Sequence, residues 1–292
     1  MEGTGGESGP KIASETGPGF GRRTGLRTGL RRGQGAKPGS RPARTAALWL
    51  LALAAGLIPA RAQEPGGAYS FRRGFGAFTE YSNDSSHMLL GYAQGRELAG
   101  VGFSYEFRTF LGSHFAGSAL TELSPLMGMS DPTMRGVTFN FPSQPGLSGT
   151  VRFSSQVPVV IPVTAAPVNA YLMVGSGAVY PGTASYIAGR RWTYLSDISP
   201  LGYKLNALPG RRLQPYVTGL GGFAIATRDV PVFNSSALNF TFQAGFGMEW
   251  FRRNHRSIGL EYRYHHLSNQ GLGAQNPGVD SGVFKATYTF GR

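Results

Sequence analysis

Between Tyr264 and Asp280 the chain reads YHHLSNQGLGAQNPGVD. Two histidines stand side by side, a serine follows the second by two residues, and a carboxylate closes the stretch. Nucleophilic hydrolysis of an acyl bond uses three such groups: a hydroxyl that attacks, an imidazole that takes its proton, and a carboxylate that holds the imidazole. The stretch by itself does not choose between His265 and His266. Neighbouring side chains on a strand point to opposite faces, so the choice depends on the element that carries them and on what each face meets.

The elements around it read as strands. Val101, Phe103, Tyr105 and Phe107 alternate with Gly100, Gly102, Ser104 and Glu106. In ALNFTFQAGFGMEW, Leu238, Phe240, Phe242, Phe246, Met248 and Trp250 share one parity, and Asn239, Thr241, Gln243, Gly245, Gly247 and Glu249 the other. Period-two alternation marks strands with one apolar and one polar face. It recurs over residues 74–82, 98–107, 114–124, 193–206, 214–227, 237–251, 257–267 and 281–290. Eight is an even number that can close a small barrel. The connections at 108–113, 207–213 and 252–256 are short, and those at 83–97, 125–192, 228–236 and 268–280 are longer. Short turns belong to the periplasmic end of a membrane barrel and longer loops to the outside. Residues 125–192 exceed a plain loop and contain further β-like pieces, VTFNF, TVRFSS and VPVVIPV.

Composition bears on where such a barrel sits. The 292 residues include 44 glycines, 12% aromatics, 15% charged residues and no cysteine, which removes disulfides, thiolate chemistry and Cys-ligated zinc. The formal charge of +13 is uneven: residues 1–62 carry ten Lys/Arg against three Asp/Glu, leaving +6 for the remainder. The basic clusters lie among Gly, Ser and Thr without the interleaved aromatics that stack on bases, so nucleic acid is not the expected partner. Arg41 and Arg44 precede an apolar run from Ala46 to Pro59, followed by Ala60-Arg61-Ala62. That is the pattern of a secretory signal peptide over 46–62, cut after Ala62. Residues 1–45 read as a low-complexity basic segment ahead of it, with the mature chain at 63–292. The run of 14 apolar residues falls short of the ~20 that a spanning helix needs. The expected fold is therefore all-β, an eight-stranded antiparallel transmembrane barrel with a long, elaborated third connection over 125–192. Its expected location is the bacterial outer membrane.

In such a barrel the apolar parity meets lipid. Ile258, Leu260, Tyr262 and Tyr264 are even and apolar, and His266 and Ser268 continue that parity, whereas Glu261, Arg263 and His265 are odd. His265 then belongs to the lumen and His266 and Ser268 to the outer wall. Asp280 shares the parity of Phe284 on the following strand. The three groups can meet at the outer rim, at the level of the ester groups of outer-leaflet lipid. Polar groups on a lipid-facing surface are costly and tend to be functional. On parity alone they are equally well interfacial polar residues at a strand end.

The run His266-Leu267-Ser268-Asn269, followed by Gly271, Asn276, Gly278 and the acid at 280, resembles the H-x-S-N region of the lipid A 3-O-deacylase (PagL) family of outer-membrane acyl-ester hydrolases. The motif is specific over about fifteen residues; the last eighty resemble the family loosely, and the rest of the mature chain only in architecture. The resemblance implies an eight-stranded barrel with a lipid-facing Ser-His-Glu triad. It implies Ser268 as nucleophile, His266 as general base and then acid, and Asp280 in place of the family's usual glutamate. Asn269 would contribute to the oxyanion hole, and Asn276 and the glycines would shape the loop. Aspartate is one methylene shorter, so its strand or loop has to approach His266 more closely.

No metal or other cofactor is expected: His255, His265 and His266 lack ligand spacing with carboxylates, and His255 falls in a basic turn. Arg96, Arg135, Arg190, Arg191 and Arg228 lie in or near outer loops and could meet lipid phosphates. The expected function is that of an outer-membrane serine esterase acting on lipopolysaccharide, with a homodimer possible. The alternatives are a non-enzymatic barrel with a structural, adhesive or narrow-channel role and, less well supported, a soluble periplasmic barrel that holds a lipid inside.

Overall fold

The computed structural model describes residues 69–174, 177–252 and 255–292; the basic segment 1–45 and the signal peptide 46–62 lie outside the described residues. The alternating stretches form strands β1 (Arg73–Ser82), β2 (Glu97–Leu111), β3 (Phe115–Asn140), β4 (Gly149–Pro158), β5 (Val168–Val174), β6 (Ala178–Ala207), β7 (Leu213–Val230), β8 (Ser236–Arg252), β9 (Arg256–Ser268) and β10 (Val279–Gly291). All pair antiparallel. β1 pairs with both β2 and β10, and β3 pairs with β6 along almost its whole length. These pairings close β1, β2, β3, β6, β7, β8, β9 and β10 into an eight-membered ring.

The segment 125–192 consists of the outer parts of β3 and β6 with two short strands on their flanks. β4 pairs with β3 over Thr133–Phe139, and β5 with β6 over Ala178–Ala184. VTFNF completes β3 and TVRFSS lies in β4, whereas VPVVIPV leaves the sheet after Pro158. β7 reaches Val230, so the next connection is only residues 231–235.

Parity sorts the side chains as a membrane requires. Large apolar residues such as Phe246, Leu260 and Phe284 stand on the outside, each more than 60% exposed in the isolated chain. The polar parity fills the lumen. Arg263 bridges Glu122 (2.7 Å) and Glu261 (2.8 Å) and donates to Gln243 (2.6 Å), with Lys285 also on Glu122. A second layer joins Lys204 to Glu106 (3.0 Å) and Glu249 (2.9 Å), and Glu249 also accepts from Asn206 and Ser257. Buried charges persist only when paired and hydrogen-bonded. Gly245 leaves the room this needs: a Cβ there would strike the Glu261 carboxylate. Above the ion layers Leu98, Met127, Met129, Leu267, Val279 and Val283 form an apolar cluster inside the outer end of the ring. A closed barrel, which leaves no open sheet edge in its ring, with an apolar outer band is built for a bilayer.

Candidate active site

β9 and β10 set the site by register. Asp280 is the direct cross-strand partner of His266, and Val279 that of Leu267. Side chains of such partners start ~5 Å apart, a gap that the short aspartate bridges. His266 Nδ1 lies 2.7 Å from Asp280 Oδ1. A carboxylate there accepts the Nδ1 proton, which leaves Nε2 with its lone pair as the basic nitrogen.

Asp280 is fully buried, and its other contacts account for that. Oδ1 also accepts from the Tyr264 hydroxyl at 2.8 Å, and Oδ2 accepts the backbone N–H groups of Leu89 (2.8 Å) and Leu90 (2.9 Å). Four donors around one carboxylate favour its charged form. The two leucines belong to the first outer loop, residues 83–96, which lies against the start of β10 through Ser86 N to Asp280 O, Tyr92 N to Pro277 O and Ala93 N to Gly278 O. Gly91 permits the approach, since a Cβ there would sit 2.7 Å from the Asp280 nitrogen. Gly278, at φ 61°, turns the chain beneath His266, where a Cβ would come within 3.1 Å of Cε1.

Ser268 lies on the same face as His266, opposite Phe240 as His266 is opposite Phe242. Its Oγ lies 3.0 Å from Asn276 Nδ2 and 3.2 Å from Asn276 Oδ1, and accepts from Gln270 N at 3.3 Å. Asn276 Oδ1 also accepts from Asn269 N at 3.1 Å, an orientation that turns Nδ2 toward the serine oxygen. The Asn269 side chain is occupied at both ends, donating to Gln275 O (2.8 Å) and accepting from Gly271 N (2.9 Å). The Asn269 side chain is thus tied into the loop, and the Asn276 side chain faces the Ser268 hydroxyl.

His266 and Ser268 continue the outward parity of Leu260, yet they are only 8% and 7% exposed, because loop 83–96 and loop 269–278 close over the top of that wall. His265 points the other way, into the lumen, with Nε2 3.5 Å from Asp197 Oδ2. His255 sits exposed in the β8–β9 turn.

The outer arginines are not a uniform set. Arg96 is buried completely, donating to the carbonyls of Gln94, Val159, Val160 and Pro231 and pairing with Asp131 at 3.2 Å, so it cannot meet a lipid phosphate. Burial lowers its pKa to about 10, against the opposing pull of Asp131. Arg190 and Arg191 face Glu97 (3.4 Å) and Asp131 (3.8 Å); Arg135 and Arg228 are exposed. Tyr264, Gly91 and the leucine N–H groups were not singled out from sequence. Tyr264 carried one usable signal, the parity it shares with His266 and Ser268.

Residues 150–289 match the family model described as lipid A 3-O-deacylase (PagL). The resemblance to that family holds over this span. It takes in β9, β10 and the loop between them, and leaves out loop 83–96. Among solved structures, the outer membrane enzyme PagL is similar at 14% identity and a TM-score of 0.40, with 75% of this chain and 99% of that one covered. Neisserial surface protein A (NspA) is similar at 10% identity and a TM-score of 0.32, with 75% and 97% covered. No curated protein sequence matches the chain. The closed ring, its outward apolar band and the PagL match make this an outer-membrane barrel.

Proposed function

We propose that the chain is an outer-membrane hydrolase that removes an ester-linked acyl chain from lipid A of lipopolysaccharide. The observation that carries this reading is the 2.7 Å contact between His266 Nδ1 and Asp280 Oδ1, with Ser268 two residues along the same outward face.

In this mechanism the Ser268 hydroxyl turns from Asn276 toward His266 Nε2, and Oγ attacks the ester carbonyl while Nε2 takes its proton. Asp280 stabilises the imidazolium that forms and keeps its proton on Nδ1. Oxyanion donors come from groups already directed at Oγ, the Asn276 amide and the Gln270 N–H; one such donor is worth ~3 kcal/mol in the transition state. Collapse expels the sugar alcohol, which takes the proton from His266. Water, activated by the same imidazole, then releases the fatty acid from Ser268.

The reading of the barrel as a narrow channel loses support from the lumen, which is crossed by two ion layers and capped by an apolar cluster. The luminal cavity among the charged residues is about 20 Å³, room for roughly one water. Mass spectrometry of lipid A from cells producing the protein is the test. The expected result is loss of one acyl mass with the wild type and unchanged lipid A with Ser268→Ala present as folded, heat-modifiable barrel. Unchanged lipid A in both would overturn the proposal.

A further inference from the structure

Loop 83–96 contains a compact turn-back between Ser85 and Gly95. Its ends are tied by Gly95 N to Ser85 O (2.9 Å), Ser85 Oγ to Ala93 O (3.1 Å) and Arg96 N to Ser85 Oγ (3.0 Å). Arg96 anchors it to three neighbouring segments through the carbonyls of Val159, Val160 and Pro231 and the Asp131 carboxylate. Short loops of this kind, with closed ends and internal packing, are often functional.

Its tip has two sides. The backbone side is turned to the site, with the Leu89 and Leu90 N–H groups on Asp280 Oδ2. The side-chain side is turned away, with Leu89 71%, Leu90 57% and Tyr92 59% exposed. Asp280 stands on the outward parity of β10, so the tip of the loop that reaches its carboxylate comes to the outer wall, while Ala93 nearer its base packs into the apolar cluster inside the outer end of the ring. The exposed side chains belong to the residues whose N–H groups hold Asp280, the cross-strand partner of His266, and on the other side of β9 Phe240 and Phe242 stand exposed opposite Ser268 and His266. A concentrated apolar patch of this kind marks an interaction surface. An acyl chain running from an ester held at Ser268 is the occupant that both its chemistry and its position fit.

We propose that this loop is a working part of the site: the N–H groups of Leu89 and Leu90 position Asp280, and the side chains of the same residues contact the acyl chain of the ester under attack. This rests on the hydrolase reading above. Lipid engagement and triad order would then be coupled through two adjacent residues.

The test uses the purified full-length protein in mixed micelles with p-nitrophenyl palmitate and p-nitrophenyl butyrate. Replacing Leu89 and Leu90 together by Ser keeps both N–H groups and removes the apolar contacts. The palmitate-to-butyrate ratio of kcat/KM is expected to fall roughly tenfold or more, mainly through KM for palmitate. Leu90→Pro removes one N–H, and Gly91→Ala forces the loop off β10. Either, if heat-modifiable migration shows a folded barrel, is expected to lower kcat on both esters, the short-chain butyrate included. A wild type active on both esters whose ratio is unmoved by the serine pair, or whose kcat is unmoved by both loop variants, overturns this inference alone. A wild type that cleaves neither ester and leaves lipid A unchanged overturns the hydrolase reading, and the inference with it.

Discussion

Two histidine–aspartate pairs stand back to back across the β9 wall. His265 faces Asp197 in the lumen at 3.5 Å, and His266 faces Asp280 outside at 2.7 Å. The imidazoles stand on consecutive residues, and their surroundings differ in almost every respect. The inner pair lies among ion layers, and its Nε2 and Asp197 Oδ2 lack a hydrogen-bond partner among the described residues. The outer carboxylate is held by four donors and its imidazole has a serine on the same face. Residue types alone do not make a site; its side of the wall, its register and the loop over it decide which pair can do chemistry.

The comparison can be broken by substitution. His266→Gln is expected to lower kcat/KM for ester cleavage about 10³-fold or more, since it removes the proton acceptor. Asp280→Asn should cost a comparable or somewhat smaller factor, roughly 10³-fold, by presenting the wrong tautomer partner to Nδ1. Tyr264→Phe takes one hydrogen bond from a carboxylate that keeps three, an expected loss of about tenfold in kcat with KM little changed. His265→Gln is expected to leave turnover within about twofold, its effect confined to the melting temperature of the barrel. Equal losses from His265→Gln and His266→Gln, measured as initial rates on one lipid substrate, would remove the distinction between the two pairs.

Much of this was legible in the sequence where strict alternation held. The eight ring strands and the outward side of His266 and Ser268 follow from parity, because β8, β9 and β10 pair without register shifts between them. Where the ladder is irregular, the pattern misled. β3 and β6 shift register between Ser124 and Met127 and between Leu120 and Glu122, and β6 shifts against β7 between Ile198 and Leu201. A bulge moves the following side chains to the other face, so the alternation of β3 breaks at Ser124, within a strand that runs on to Asn140. Loop 83–96 was illegible for another reason. Its contribution to the site is made by backbone N–H groups, which every non-proline residue carries, and Arg96 reads as a surface cation until the carbonyls converging on it are known. The reach of Asp280 was likewise a question of register, answered by its direct pairing with His266.

The account turns on Ser268 being a nucleophile activated from the outer face. The most direct measurement is covalent labelling of the detergent-solubilised barrel with a long-chain fluorophosphonate, with the modified residue located by tandem mass spectrometry. The account predicts modification at Ser268 in the wild type and in His265→Gln, and its loss in His266→Gln. Modification elsewhere, none at all, or labelling that depends on His265 and not on His266 would contradict it.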